Sequence, residues 1–342
     1  MKQYNWGIIG TGSISHLFAQ GLRYASGANL YCVASRSKQK ADAFARSHNI
    51  PVAYGSYEEL AEDPHVEIVY IGTPNSFHCD NSLLCLQKKK AVLCEKPFAL
   101  NAGQVEKMIY HARKNNCFLM EALWSRFLPS IQKVQWLVDN KVVGDPICIK
   151  ADFGFLADYN EESRLFNPLL GGGSLLDIGI YPVFLAYLLF GYPDEISSHA
   201  VIAPTGVDLS TGIFLSWKSG QFAQLASSFN VDLDTEAVIY CSKGKITLHR
   251  KFHMPTRLSI STANEHKEIS LDWKGNGYNY EAEEVMYCLS EGRLESQLLP
   301  LNFSLELMKL LQTIMNVAKK VPVLSGTHQS NSLKSVENSE NF

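Results

Sequence analysis

The stretch Gly7-Ile8-Ile9-Gly10-Thr11-Gly12-Ser13-Ile14-Ser15 decides how this chain folds. It ends an apolar run, residues 5–10, that reads as a strand, and opens a helical pattern over 13–24. Glycines at 10 and 12 permit a tight turn and let backbone N–H groups approach an anion at the helix N-terminus. Ser15 stands at the third-glycine position and still offers a small side chain for close packing. Alone, G-x-G-x-x-small is a weak motif. In a strand–turn–helix setting it predicts a dinucleotide cradle made by Gly10, Thr11, Gly12, Ser13 and Ile14.

Working outward, apolar runs at 29–35, 66–72, 91–95 and 117–122, with a weaker one at 51–54, alternate with helical patterns at 38–48, 57–62, 78–89 and 101–116. Val, Ile and Leu fill the strands continuously, as in a sheet covered on both faces. This α/β order predicts a doubly wound parallel sheet over residues 1–122, a Rossmann domain. Beyond it lie a helix at 128–139, a strand at 147–155, a polar segment at 157–167, a triple glycine at 171–173 and an apolar helix to about residue 190. Strand patterns follow at 195–203, 211–217, 221–229, 235–241, 245–249 and 258–271, then helices at 280–291 and 302–319. Residues 123–325 are therefore expected to form an α+β domain with a large, mainly antiparallel open sheet, serving substrate binding and oligomerisation. Residues 326–342 are polar and aperiodic and are expected to be a disordered tail.

The 342 residues suit two domains, and a net charge of −3 argues against a nucleic-acid partner. The most apolar run, residues 178–190, is 13 long, short of the ~20 that a membrane span needs, so it reads as a buried helix. The N-terminus lacks the order of a secretion signal, and eight scattered cysteines with no C-x-x-C suggest reduced thiols in the cytoplasm rather than disulfides or zinc. His249 and His253 are spaced i, i+4 but lack a third ligand, so no metal is expected. Lys88-Lys89-Lys90 reads as a solvated helix end.

The end of the second strand separates two cofactors. No Asp or Glu occurs before Asp42, so no carboxylate stands ready for the ribose hydroxyl of NAD. Ser35, Arg36 and Lys38 instead offer a hydroxyl and two cations suited to a 2′-phosphate, unless the cations are only solvated helix-start residues. NADP is therefore expected over NAD. Two further loops fall at strand ends on the ligand edge of such a sheet: Thr73, Pro74, Asn75 and His78 in one, Glu95 and Lys96 in the other.

Together these motifs, with C-E-K-P at 94–97, M-E-A at 120–122 and G-G-G-x-L-x-D-x-G-x at 171–180, resemble the glucose–fructose oxidoreductase / inositol dehydrogenase (Gfo/Idh/MocA) family over nearly the whole chain. The runs at 53–60, 93–97 and 120–127 look most like its dimeric dihydrodiol dehydrogenase branch, which includes NADP-dependent D-xylose 1-dehydrogenases. The resemblance implies that Lys96 reaches nicotinamide and substrate, and it places Glu121 among the cofactor contacts. Where most members carry a histidine after D-x-G-x, this chain has Tyr181, which becomes the candidate acid–base group, while Asp177 is kept. Asp177 lies four residues before Tyr181 on one helical face, where it orients substrate or lysine or caps the helix. Trp124 and Arg126 would line the nicotinamide pocket or a subunit contact. Phe153, Phe155 and Tyr280 would form an apolar wall unless they are core, and Arg164 meets a polar substrate or is merely solvated.

An ammonium ~4 Å from a phenolate contributes roughly 4 kcal/mol at an effective dielectric near 20. That equals about three pKa units before burial opposes it, so Lys96 is expected to bring Tyr181 into a useful range. These residues point to hydride transfer between NADP and a small polyhydroxylated alcohol, a dihydrodiol or an aldose, or its carbonyl form. The alternative is a catalytically silent NADP-binding sensor of the same fold. One sheet face of the second domain is expected to be sealed in a homo-oligomer, a dimer or larger.

Overall fold

Six short apolar strands pair in parallel in the order β3-β2-β1-β4-β5-β6. They are β1 (Tyr4–Ile9), β2 (Ala28–Ala34), β3 (Val52–Tyr54), β4 (Ile68–Ile71), β5 (Ala91–Glu95) and β6 (Leu119–Ala122). The computed structural model describes residues 2–323, so the segment expected as a tail lies outside the described residues. Helices α1 (Ser13–Leu22), α2 (Lys38–His48), α3 (Tyr57–Glu62), α4 (His78–Gln87) and α5 (Ala102–Asn115) link the strands. Side chains of Ser37, Ser56 and Asn101 cap α2, α3 and α5, whereas α1 starts at Gly12 with no side-chain cap. The order reverses between β1 and β4, the crevice where such sheets bind ligands. There the two loops touch: Gly10 has φ +99°, and a Cβ on it would lie 2.8 Å from the Gly72 carbonyl.

The second sheet has nine strands, in the order β14-β13-β12-β11-β7-β10-β9-β8-β15. These are β7 (Pro146–Gly154), β8 (Glu195–Ile202), β9 (Asp208–Ser216), β10 (Phe222–Ser228), β11 (Ala237–Cys241), β12 (Gly244–Leu248), β13 (Leu258–Thr262), β14 (His266–Ile269) and β15 (Lys319–Pro322). All pairs are antiparallel except β7–β10 and β8–β15. Helices α6 (Pro129–Asp139), α7 (Ile180–Phe190), α8 (Tyr278–Ser290) and α9 (Leu301–Val317) complete the domain. The largest of three apolar clusters among the described residues runs through both sheets, from Phe18 and Tyr70 to Trp124, Tyr181 and Leu225. That shared core is what brings residues of the two halves together.

Three expectations change here. The run 258–271 is a hairpin, not one strand, because Thr262 N donates to the Glu265 carbonyl and turns the chain. The last helix stops at Val317, and Lys319–Pro322 adds a parallel edge strand whose charges and proline hid it from the apolar pattern. Lys90 is buried, donating to the carbonyls of Asp63 and Val66 at 2.6 and 2.9 Å, and is not a solvated helix end. The helical segment from Pro168 to Phe190 spans 23 residues, long and apolar enough to cross a membrane by length and composition, but its most apolar window is 72% buried within the fold.

Candidate active site

Lys96 leaves the end of β5 and meets Asp177 and Tyr181 from the second domain. Its Nζ donates to the Asp177 backbone carbonyl at 2.6 Å and lies 3.3 Å from Asp177 Oδ1. It also sits 5.1 Å from the centre of the Tyr181 ring. A π turn over Leu175–Gly179 makes this meeting possible. In an unbroken α-helix the Asp177 carbonyl would serve the Tyr181 N–H; here it receives Lys96. Asp177 and Tyr181 thus converge on one ammonium through a widened turn rather than the regular helical face expected.

Arg164 Nη1 donates to Asp177 Oδ1 at 2.9 Å, so this half-exposed side chain belongs to the site and not to bulk solvent. Burial raises the cost of the Asp177 charge, but Lys96 and Arg164 more than offset it and hold its carboxyl below the ordinary range. Lys96 is likewise opposed by burial, yet Tyr181, Asp177 and Glu95 keep its pKa above the usual lysine value.

Tyr181 behaves differently from the expectation. Burial is the largest influence on its hydroxyl and raises the pKa above 10 despite the lowering by Lys96. The resting side chain is a neutral phenol. Its oxygen accepts a hydrogen bond from Trp124 Nε1 at 3.1 Å, which leaves the phenolic proton free to be donated. Trp124 in turn is stacked on Tyr278, 4.3 Å away and 6° from parallel. Trp124 therefore positions the phenol.

Phe153 and His253 complete the wall beside Tyr181, stacked 4.2 Å apart, with Tyr181 5.8 and 4.9 Å from them. Burial first, then Lys96, pushes the His253 imidazole down to about 3, so it is neutral. In the sequence His253 stands out only by its i, i+4 spacing from His249, which points to no metal. No other local signal marks it, because a contact between Ser125 Oγ and the His253 carbonyl, 2.7 Å long and 128 residues apart in sequence, brings it here.

Several expected cofactor contacts are engaged by the protein itself. His78 places its two ring nitrogens 2.8 and 2.9 Å from the carbonyls of Pro97 and Thr73, tying the two loops together. Thr73 Oγ1 accepts from Asn81, and Asn75 Nδ2 donates to the Gly171 carbonyl at 3.0 Å. Glu95 accepts from the Tyr70 hydroxyl at 2.6 Å and from Lys96 N at 3.1 Å, and burial pushes it up to about 7. Glu121, also pushed up to about 7 by burial, accepts from Phe98 N and so braces the loop that follows Lys96. Arg126 donates to the Leu298 carbonyl at 2.8 Å, an architectural link. Phe155 packs on Phe229, and the Tyr280 hydroxyl accepts from Lys274 N. Pro74 is half-buried beside Asn75 in the same loop.

The cofactor edge stays open. Thr11, Gly12, Ser13 and Ile14 reach solvent, and a Cβ on Gly12 would meet nothing nearer than the Gly72 carbonyl at 4.0 Å. The uncapped N-terminus of α1 and this bare backbone fit a pyrophosphate. At the end of β2, Ser35 is buried, and Arg36 is exposed with its guanidinium 5.3 Å from the Phe77 ring centre. Lys38 is paired with Asp42.

A sequence model described as an oxidoreductase family with an NAD-binding Rossmann fold matches residues 4–123, and the model of its C-terminal domain matches 131–247. The chain belongs to the Gfo/Idh/MocA oxidoreductase family. It is 38% identical over 327 residues to the trans-1,2-dihydrobenzene-1,2-diol dehydrogenase of Xenopus laevis, covering 92% of this chain and 96% of that one. The Homo sapiens enzyme of the same name is 37% identical over 321 residues, covering 90% and 95%. Among solved structures, a 3-ketoreductase from Actinomadura kijaniata in complex with NADP and TDP-benzene superposes with TM-score 0.85 at 22% identity, covering 94% and 99%. An aldose-aldose oxidoreductase from Caulobacter crescentus complexed with glycerol gives 0.84 at 22%, covering 93% and 98%. These two share the fold. As a Gfo/Idh/MocA member, the protein is an NAD(P)-dependent oxidoreductase acting on a small molecule.

Proposed function

We propose that this family member uses NADP(H) to interconvert a small polyhydroxylated alcohol, a dihydrodiol or an aldose, and its carbonyl form, with Tyr181 as acid–base group and Lys96 as its cationic partner. The observation that carries the reading is the convergence of Lys96 Nζ and the Trp124-held phenol of Tyr181 beside an aromatic wall. When bound, the nicotinamide supplies the hydride and, once oxidised, a positive charge. Tyr181 gives its proton to the substrate oxygen as the carbonyl is reduced, and Lys96 stabilises the negative charge that develops there. In the reverse direction Tyr181 accepts the alcohol proton. Phe153 and His253 offer a flat apolar face, while Asp177 and Arg164 offer polar contacts at the same mouth. This mixture suits a ring that carries hydroxyls on one edge, in keeping with the activity named for the curated relatives.

The test is NADPH absorbance over a panel of dihydrodiols, aldoses and matching carbonyls. Turnover on at least one is expected. Cofactor binding without turnover on any of them would make the protein a sensor instead.

The NADP preference rests on Ser35 and Arg36 and on the lack of any carboxylate before Asp42; the 3-ketoreductase neighbour was itself solved with NADP. Arg36→Glu is expected to raise KM for NADP by roughly 10- to 100-fold, the worth of a charge-assisted contact, and to favour NAD. An unchanged ratio of the two KM values would reject the assignment.

Two further readings complete the proposal. A second copy covers the open face of the larger sheet, where Phe214 is 43% exposed and Lys150 and Asp152 line a depression of about 710 Å³ with both signs of charge, as a two-fold contact needs. Sedimentation should give at least twice the chain mass, and Phe214→Glu should reduce it. The eight cysteines are unpaired, in keeping with the reducing cytoplasm, which fractionation of a tagged chain would check.

A further inference from the structure

Beyond Lys96 and Tyr181, α8 carries two polar side chains that the proposed chemistry does not use. Glu281 and Asn279, in the first turns of α8, are wholly buried. Both carboxyl oxygens of Glu281 and both amide atoms of Asn279 lack a hydrogen-bonding protein partner among the described residues. Four such atoms in the first turns of one helix are unusual in an interior, because each uncompensated group costs on the order of 1–3 kcal/mol. The segment is not loose. Asn276 Nδ2 donates to the Leu17 carbonyl of α1, and Tyr278 is stacked on Trp124. Glu281 is within electrostatic reach of Glu95, Tyr70 and Tyr278. Glu95 is bonded through Tyr70 and the Lys96 backbone, and Tyr70 is stacked on Phe18 of α1 at 3.7 Å.

We infer that Glu281 is a positioning residue of the active site, holding a proton and donating through ordered water to the Glu95 carboxylate that supports Lys96. A buried water makes two to four such bonds, enough to bridge two carboxyl groups. The inference rests on the Lys96–Tyr181 reading given above. Two carboxylates facing each other in an interior do not both ionise, so one keeps the proton. Every neighbour favours Glu281 as the keeper. Glu95 has the Lys96 ammonium, the Tyr70 hydroxyl, the Lys96 N–H and, further off, Arg164 to support a negative charge. Among the described residues, the groups that act on Glu281 are Glu95, Tyr70 and Tyr278, none of them a cation. Burial then holds Glu281 well above the ordinary carboxyl range. The charge of Glu95 acts on both Lys96 and Tyr181, so its titration enters the rate.

The experiment compares Glu281→Gln and Glu281→Leu in the full-length enzyme. Glutamine keeps a donor to Glu95; leucine removes it, which disfavours the Glu95 anion and moves its titration upward. The midpoint in the pH profile of kcat/KM near neutrality should move up by about one unit in Glu281→Leu and by less than about 0.3 in Glu281→Gln. Equal displacement in both variants, or none in either, would overturn the inference.

A second measurement does not need turnover. A carboxyl protonated in the folded protein and ionised on unfolding stabilises the fold fully only below its unfolded pKa, and this is lost as pH rises toward the folded value. Glutamine has no such dependence. The thermal midpoint of Glu281→Gln should therefore gain on the wild type from about pH 5 to about pH 8. A constant gap would mean that Glu281 is already ionised and would reject the inference. Should Tyr181→Phe retain full turnover, the catalytic reading would fail while this thermal comparison still judged the state of Glu281.

Discussion

Lys96→Met is expected to lower kcat/KM for carbonyl reduction about 10³-fold, or roughly 4 kcal/mol of transition-state stabilisation. The ammonium is enclosed, bonded twice to Asp177 and placed over the Tyr181 ring, so its field is little screened by solvent. Methionine keeps the length and apolar bulk but none of the charge. The fold should tolerate the change, because Arg164 stays on Asp177 and the buried carboxylate is not left alone. Steady-state rates with NADPH, beside NADPH binding followed by fluorescence, separate the two effects. A rate within tenfold of wild type would remove Lys96 from the chemistry. Lys96→Arg should recover little, since a planar fork cannot reproduce a point donor shared between a carbonyl and a ring face.

For Tyr181→Phe the expected loss is about 10²- to 10⁴-fold in kcat, with NADPH affinity within a factor of about three. Phenylalanine preserves the packing against Phe153 and His253 and takes away only the hydroxyl. It also leaves Trp124 Nε1 without its acceptor, a modest cost on the order of 1 kcal/mol in stability. The pH dependence has a definite direction. With burial holding the phenol above its ordinary value, its proton is present through neutral pH, so loss of that proton does not limit carbonyl reduction there and the change near neutrality is that of Glu95. Alcohol oxidation, which needs the phenolate, should rise with pH. In Tyr181→Phe that rise should vanish; its survival would assign the base elsewhere.

The sheet of the first domain was readable from sequence because its strands are buried on both faces and its loops carry glycine where the backbone demands it, as at Gly10. Lys96, Asp177 and Tyr181 were readable through motifs, and the shared core explains how residues so far apart in sequence meet. What sequence could not convey was direction. His78, Asn75 and Arg126 stand in the right loops, but their polar atoms turn to carbonyls of neighbouring segments, a choice made by tertiary packing. Glu281 has no pattern in the sequence and His253 only its i, i+4 spacing from His249; each becomes meaningful only through what the fold sets beside it. The sign of the Tyr181 shift likewise depended on how completely the phenol is enclosed, which a distance between charges does not capture.

The π turn before α7 has an evolutionary consequence. An α-helix advances about 100° per residue, so the one extra residue in such a turn resets the angular phase of everything that follows. Removing a single residue from Leu175–Gly179 would swing Tyr181 around the helix axis and away from Lys96. A conservative substitution away from Asp177 and Tyr181 keeps that phase, whereas a one-codon deletion there would dismantle the site while leaving both sheets standing.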